Sequence, residues 1–279
     1  MSVQRWRPRL TASRGFRLQL PPMSSDLSRA FGRSPFLAHW ITKALRRRVT
    51  RNFASLRYAG EPPALKPGQG IILYSNHPSW WDPAVFAVLQ DRFFADRPGF
   101  GPIDAQALAR YPLLRRAGFL SLDQNSVSSI RRFLRDASDI LRLGGVFWIT
   151  AQGAFTDARM RPLQLRPGLA HLAARMPGTP IVPLALDYSF GTESRPDIAV
   201  MFGSPLTCSG ERAATMTPRL EAALEELCDR LAEKVSLQDH ASFTPFLGGR
   251  EGMGGVYAFL QRITAGLSGR KFEKRHVAR

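Results

Sequence analysis

The sequence predicts an α/β fold with a largely parallel sheet flanked by helices, preceded by an amphipathic helical segment. Two observations support this fold class. Short apolar runs of strand length alternate along the chain with longer segments whose apolar residues recur every three or four positions. This alternation is typical of βαβ units with a parallel sheet. In contrast, the segment before residue 60 combines the helical pattern with most of the positive charge.

Most predicted elements follow from hydrophobic periodicity and from the turn residues at their ends. Strands are predicted at residues 71–75, 100–103, 119–122, 146–150, 181–186 and 197–202. Helices are predicted at residues 80–94, 105–116 with a break near Pro112, 126–142, 168–175 and 218–235. The order of these elements places most strands in one sheet with helices between them.

Composition divides the chain into four segments. Residues 1–25 read as a disordered basic arm, and residues 26–58 as an amphipathic helical anchor that Pro35 splits into two helices. Residues 60–240 form the predicted α/β domain. Residues 241–279 are rich in Gly and end in basic residues, so we expect a basic tail.

The charge distribution indicates an anionic partner. The net charge is +17, and residues 1–60 carry thirteen Lys or Arg against a single acidic residue, Asp26. Arg on one face of a helix and aromatic residues on the other suit the interface of a membrane with anionic lipids. A helix packed on its own domain with a solvated basic face is the alternative reading.

Two compositional features exclude other classes. Cys208 and Cys228 are too few for a disulfide framework or a zinc site, so we expect free thiols and no metal centre. No apolar run reaches the ~18 residues of a transmembrane helix. Contact with a membrane is therefore expected to be peripheral.

The predicted strand at residues 71–75 ends in a candidate catalytic pair. Ser75 and Asn76 end the apolar run, His77 follows, and Asp82 comes five residues later near the start of a helix. A strand that ends in a polar turn before a helix is where α/β proteins place their chemistry. His77 is suited to act as a general base, and Asp82 as the carboxylate that orients its ring.

The residues around this pair resemble the glycerolipid acyltransferases, the 1-acylglycerol-3-phosphate acyltransferase superfamily, whose first motif is N-H-x-x-x-x-D. Asn76-His77-Pro78-Ser79-Trp80-Trp81-Asp82-Pro83 fits that motif. Later segments resemble the second, third and fourth motifs in order: Gly118 to Asp123, Ile149 to Gly153, and Arg166-Pro167-Gly168 followed by Pro180 to Ala185. The resemblance covers residues 60–205 and implies the fold described above.

The chain departs from the family pattern where family members hold the acceptor's phosphate. The second motif usually continues into Arg, but Gln124 occupies that position. The Glu of the third motif is Gln152, and its Thr-Arg is Ala154-Phe155. Since phosphate is usually held by Arg, an acceptor without a phosphomonoester becomes more plausible, unless Arg159, Arg161 or Arg166 of the same loop replace the missing residues.

The resemblance implies an O-acyltransferase of lipid metabolism and phospholipid biosynthesis. The enzyme would transfer a fatty acyl group from acyl-CoA or acyl-carrier protein, as co-substrate, to a lipid hydroxyl, with no cofactor and no metal. The acceptor is lysophosphatidic acid or another lysolipid by family default, or alternatively an unphosphorylated or glycosylated lipid. Expected acceptor-binding residues are Gln124, Gln152, Gly153, Asp157, Arg159 and Arg161.

The family resemblance and the charge distribution also predict where the protein acts and what it binds. The enzyme is expected to act as a peripheral protein on the cytoplasmic face of a membrane. Direct attack by the acceptor is favoured over an acyl-enzyme, because the chain has no G-x-S-x-G motif. Nucleic acid is not expected as a partner, since its only support is charge. A protein that binds lipid without catalysis is a further alternative.

Overall fold

The computed structural model describes residues 23–191 and 194–248. Almost all of the predicted disordered arm, residues 1–25, and most of the predicted basic tail, residues 241–279, lie outside this range. The described elements are, in chain order, α1 (Met23–Ala30), α2 (Pro35–Asn52), β1 (Ser55–Ala59), β2 (Ile71–Ser75), α3 (Asp82–Phe93), β3 (Gly99–Asp104), α4 (Ala105–Arg110), α5 (Leu113–Ala117), β4 (Phe119–Leu122), α6 (Val127–Arg142), β5 (Val146–Thr150), α7 (Gly168–Arg175), β6 (Ile181–Ser189), β7 (Asp197–Phe202), α8 (Ala213–Ser236) and β8 (Thr244–Gly248).

The strands form one mixed sheet of eight strands in the order β4-β3-β5-β2-β6-β7-β1-β8. The pairs β6–β7 and β1–β8 are antiparallel, and the other five pairs are parallel. This agrees with the predicted α/β class. The strand β2 lies inside the sheet between β5 and β6, and both pairings are parallel. The carboxyl ends of these three strands therefore lie at the same edge.

Helices cover both faces of the sheet. On one face α6, α7 and α8 pack over Ile72, Tyr74 and Phe147, together with Leu27 of α1. On the other face α2 and α3 pack over Ile71 and Trp148 and their neighbours. The alternation arises because successive side chains in a strand point to opposite faces. Strands buried on both faces read as continuous apolar runs, which explains the 71–74 and 146–149 runs of the sequence.

The sheet extends beyond the predicted bounds of 60–240. The predicted anchor of residues 26–58 contains two helices, α1 and α2, but α2 ends at Asn52 and residues 55–59 form β1 between β7 and β8. Residues 244–248, placed in the predicted tail, form the edge strand β8. Both strands were missed because each is short, and its pairing partners lie far away in the sequence, where local periodicity carries no signal.

The two N-terminal helices belong to the packed core. Leu27 of α1 and Val49 of α2 are each 1% exposed. Phe53, which follows α2, makes an edge-on contact with Trp81 at 5.0 Å between ring centroids. The segment before β1 is therefore part of the domain, while one face of α2 stays exposed at Phe36 and Trp40. No helix within residues 23–191 and 194–248 is both long and apolar enough to cross a bilayer.

Candidate active site

The candidate site lies where the parallel strands β2, β5 and β6 end together. His77 comes two residues after β2, Gln152 two residues after β5, and Tyr188 lies near the end of β6. Ligands of open α/β sheets bind outside the carboxyl ends of the strands. The topology thus brings together side chains that are up to 111 positions apart in sequence.

His77 and Asp82 contact each other as the spacing predicted. Nδ1 of His77 lies 2.6 Å from Oδ2 of Asp82, and the Asp82 side chain is completely buried. Asp82 is the first residue of α3, where the helix dipole favours a negative charge. Since an ionised carboxylate only accepts hydrogen bonds, Nδ1 carries the proton and Nε2 keeps its lone pair. That is the tautomer required of a general base.

Asp82 has two further hydrogen-bond donors. The hydroxyl of Tyr188 donates to Oδ1 at 2.7 Å, and the backbone N–H of Ser79 donates to Oδ2 at 3.3 Å. Burial and the nearby Asp82 raise the pKa of Tyr188 well above its ordinary value, so the phenol stays protonated and continues to donate. Hydrogen bonds to a buried carboxylate stabilise its charged form. Both oxygens of the Asp82 carboxylate are therefore held in place beside His77.

Asn76 fixes the end of β2 to β6. Its side-chain amide donates to the carbonyl of Leu186 and its amide oxygen accepts from the N–H of Leu186, both at 2.9 Å. The side chain is almost completely buried. With donor and acceptor both paired, Asn76 replaces the ladder hydrogen bonds that are lost where the strand ends. These two hydrogen bonds thereby fix the position of the backbone from which His77 continues.

Gln152 holds the backbone of His77 from the other side. Its Oε1 accepts from the N–H of His77 at 2.8 Å, and its Nε2 donates to the carbonyl of Leu163 at 2.9 Å. Gln152 is 5% exposed, so both contacts are made without competition from solvent. A carboxylate at this position would accept from His77 but would have no proton to donate to Leu163.

Phe155 lies against the imidazole of His77. The two ring centroids are 4.3 Å apart and the planes are inclined by 36°. The next residue, Thr156, donates its backbone N–H to the carbonyl of His77 at 3.0 Å. Phe155 itself is 62% exposed. The loop after β5 therefore covers one side of His77 and presents an aromatic surface next to it.

Comparisons with known proteins found similarity in the part of the chain that contains this site. A family model described as Acyltransferase matches residues 56–187, which include β2, His77, Asp82 and the loop after β5. Residues 56–187 therefore match an acyltransferase family, in line with the resemblance that the sequence motifs indicated. Among solved structures, the 1-acyl-sn-glycerophosphate (LPA) acyltransferase PlsC from Thermotoga maritima is similar, with 16% sequence identity and a TM-score of 0.47 over 68% of this chain and 80% of that one. No curated protein matches the chain.

Two of the expected acceptor-binding residues, Gln124 and Gly153, contact each other. Nε2 of Gln124 donates to the carbonyl of Gly153 at 3.3 Å. Gly153 has φ +69°, a conformation that favours glycine, and an added Cβ would lie 3.1 Å from Cγ of Arg166 and 3.3 Å from Nε2 of Gln124. Gln124, Gly153 and Arg166 therefore form one cluster beside the loop that carries Phe155.

The other predicted acceptor-binding residues form ion pairs. Arg159 donates from Nε and Nη2 to the two oxygens of Asp157, at 2.9 and 2.7 Å. This guanidinium holds the pKa of Asp157 far below its ordinary value. Arg161 donates from Nε to Asp229 of α8 at 3.1 Å and from Nη1 to the carbonyl of Ala158 at 2.9 Å. Both Arg residues are therefore already paired with carboxylates of this chain.

Tyr188 was missed in the sequence. It lies 106 positions after Asp82, so no local spacing joins them. A signal exists in the alternation of β6: Val182, Leu184 and Leu186 pack on the face covered by α2 and α3, so Tyr188 points to that face as well, where α3 begins with Asp82. This inference requires knowing that β2 and β6 are neighbours, which only the topology provides.

Proposed function

We propose that this acyltransferase moves a fatty acyl group from a coenzyme A or acyl-carrier-protein thioester to a lipid hydroxyl. The observation that carries the proposal is the contact of 2.6 Å between Nδ1 of His77 and a buried carboxylate oxygen of Asp82, within a domain of an acyltransferase family. The pair has the geometry of a general base and the group that orients it.

The reaction follows from the position of the protons. The acceptor's hydroxyl oxygen attacks the thioester carbonyl carbon while Nε2 of His77 takes the hydroxyl proton. The C–S bond then breaks, and the thiol leaves with the proton returned by the imidazolium. Asp82 stabilises the imidazolium during the step and keeps its own charge, because Ser79 and Tyr188 also donate to it.

A lysolipid is the acceptor that the family favours, with lysophosphatidic acid as the default. An unphosphorylated or glycosylated lipid is the second candidate, and two observations favour it. Gln124 and Phe155 stand where family members carry Arg, and Arg159 and Arg161 are already paired with Asp157 and Asp229. A phosphate would have to compete with those carboxylates for the guanidinium groups.

We further propose that the protein binds peripherally to the cytoplasmic face of a membrane through α2. On α2, Phe36 and Trp40 are exposed at 80% and 61%, and Lys43 and Arg46–Arg48 follow them along the same helix. Arg48 lies over the ring of Trp80, 5.8 Å from its centroid. Trp80 is three residues from His77, so a bilayer bound to α2 would lie beside the candidate site. Aromatic residues together with basic side chains are typical of interfacial helices.

A screen of acceptors tests the proposed function. The purified protein is incubated with an acyl-CoA or an acyl-carrier-protein thioester and with a panel of lysophospholipids, monoacylglycerols and monoacyl glycolipids, and the products are identified by mass spectrometry. We expect one acceptor class to gain an acyl chain, and His77→Ala to remove that product. Binding of lipids with no acyl transfer from either donor would instead indicate a lipid-binding protein that lacks catalysis.

A further inference from the structure

A cavity of about 200 Å³ lies next to the candidate active site, between the end of β2, the second half of β6, the loop after β5 and α8. Its polar lining consists of Asn76, Arg159, Arg161, Asp187 and Asp229, and apolar atoms of α8 close it. We propose that this cavity binds an uncharged headgroup rich in hydroxyls, such as glycerol or a single sugar, of the acyl acceptor, and that Asp187 accepts a hydrogen bond from it. This inference rests on the proposed function.

The position of the cavity relates it to His77. Asn76, which lines the cavity, directly precedes His77, and consecutive Cα atoms are about 3.8 Å apart. On the other side, Phe155 contacts the imidazole and Thr156 binds the His77 carbonyl, while Ala158 and Arg159 of the same loop line the cavity. The two segments that hold His77 thus continue directly into the walls of the cavity.

Asp187 is the polar group that points to a ligand. Its Oδ1 is buried and has no hydrogen-bond partner among the described residues. A buried polar atom without a partner is costly and rare in a native fold, and a small shift of the Asp187 side chain toward the cavity that it lines would let a bound ligand supply one. A hydroxyl group supplies the donor that is lacking. Burial also raises the pKa of Asp187, and both forms of a carboxyl group accept hydrogen bonds from hydroxyls.

The charges at the cavity disfavour a phosphate. Two Arg and two Asp residues line it, so their formal charges cancel. The protein as a whole has a net charge of +17. Arg161 is paired with Asp229, and Arg159 with Asp157. A phosphate in the cavity would meet the carboxylate of Asp187 without an unpaired guanidinium to offset it.

The size of the cavity suits a headgroup and excludes the whole lipid. Pockets for drug-sized ligands start at about 300 Å³, so about 200 Å³ accommodates a glycerol or one sugar ring. The acyl chain of the acceptor then has to lie outside. Phe155 and Met160, at 62% and 57% exposed, present apolar side chains on the same loop, one on each side of Ala158.

Kinetics with matched acceptors test this assignment. 1-Monooleoylglycerol and 1-oleoyl lysophosphatidic acid share the acyl chain and the glycerol and differ by the phosphate, and a monoacyl glucosylglycerol extends the series.

Two variants test the cavity. Asp187→Ala removes the oxygen that accepts the hydrogen bond, and Ala232→Leu fills the cavity from α8 without touching Asp187. We expect Asp187→Ala to raise KM for the uncharged acceptor about tenfold, the loss of one hydrogen bond to a charged group. Ala232→Leu should raise the same KM because the larger side chain excludes the headgroup, and kcat should stay within about threefold in both variants. Asp139→Asn, on the exposed side of α6, is the matched control and leaves KM unchanged.

A binding measurement separates this inference from the proposed function. Binding of radiolabelled 1-monooleoylglycerol in detergent micelles is measured on His77→Ala, with and without Asp187→Ala. If binding depends on Asp187 although the wild type transfers no acyl group, the cavity assignment stands and the proposed function fails. If transfer occurs but KM is the same in Asp187→Ala and Ala232→Leu, the cavity assignment is overturned. A preference of the wild type for lysophosphatidic acid over 1-monooleoylglycerol would also overturn it, since it would identify phosphate as part of the ligand.

Discussion

The hydroxyl of Tyr188 lies 2.7 Å from Oδ1 of Asp82, on the opposite side of the carboxylate from His77, whose Nδ1 lies 2.6 Å from Oδ2. Both oxygens of one buried carboxylate therefore accept a hydrogen bond. The hydrogen bonds run from Tyr188 on β6 through Asp82 to the imidazole of His77. Tyr188 in turn packs against Phe53 at 5.8 Å between ring centroids, so the segment after α2 supports the same group.

Tyr188→Phe tests whether this chain positions the base. The substitution keeps the ring and its packing but removes the hydrogen bond to the carboxylate. Hydrogen bonds to charged groups contribute about 1.5–3 kcal/mol, so we expect kcat to fall about tenfold to a hundredfold with little change in KM. Steady-state kinetics with a fixed acceptor measure the two constants. Tyr111→Phe is the control, because Tyr111 is exposed. A higher KM with unchanged kcat would assign Tyr188 to substrate binding.

His77→Ala removes the proposed base and should lower kcat by about 10²–10⁴, the usual contribution of general acid–base catalysis. The side chain is only partly buried and belongs to a loop, so the fold should survive. Thermal unfolding followed by circular dichroism checks the fold, and single-turnover assays check the chemistry. Turnover within about tenfold of the wild type would remove His77 from the role of base.

Gln152→Glu restores the residue that is typical of the family's third motif and should destabilise this protein. The new carboxylate still accepts from the N–H of His77, but its second oxygen faces the carbonyl of Leu163, where Nε2 now lies at 2.9 Å. Protonation gives that oxygen a hydrogen to donate, so the pKa of the introduced Glu should be higher in the folded protein than in the unfolded one. Stability is then retained below the unfolded value, near ~4.3, and lost as pH rises through the higher folded value.

Urea unfolding at two pH values measures this effect. We expect Gln152→Glu to lose about 1–3 kcal/mol of unfolding free energy at pH 8, the cost of an unpaired buried polar group, and less at pH 5. Gln164→Glu is the control, since Gln164 is exposed on the same loop. Equal losses at both pH values would show that the Leu163 carbonyl finds another donor.

Local sequence was sufficient to predict the contact between His77 and Asp82 and most elements, because their signals are local. His77 and Asp82 are five residues apart, and β2, β5 and α6 each have a clear apolar pattern. The parts that were missed depend on pairing over long distances. β8 and β1 are separated by about 190 residues, and Asp187 and Tyr188 became relevant only once β6 was known to pair with β2.

Asp157→Asn should improve the use of an acceptor that carries a phosphate. The substitution breaks the two-pronged pair with Arg159 and leaves that exposed guanidinium free to hold an anion. We expect KM for lysophosphatidic acid to fall several-fold, while KM for 1-monooleoylglycerol stays within about twofold. Assays of both acceptors at low and high salt measure this, because the gain should shrink with ionic strength. Asp136→Asn on α6 controls for the change in net charge. An equal change for both acceptors would show that Arg159 does not meet the headgroup.

The exposed face of α2 offers the sharpest test of membrane binding. Deleting the N-terminal segment is unsuitable, since Leu27, Val49, Phe53 and Leu56 lie in the core, and truncation of one buried apolar side chain alone costs about 2–5 kcal/mol. Phe36 and Trp40 are exposed, so replacing both with Ser should leave the fold intact. We expect this double variant to lose most of its binding to vesicles that contain anionic lipids, measured by co-sedimentation.

Lys43→Glu together with Arg47→Glu should weaken binding to anionic vesicles more than to neutral ones. Phe190→Ser is the control, because Phe190 is 74% exposed and lies just after β6. Unchanged sedimentation of both α2 variants would place the contact with lipid outside this helix.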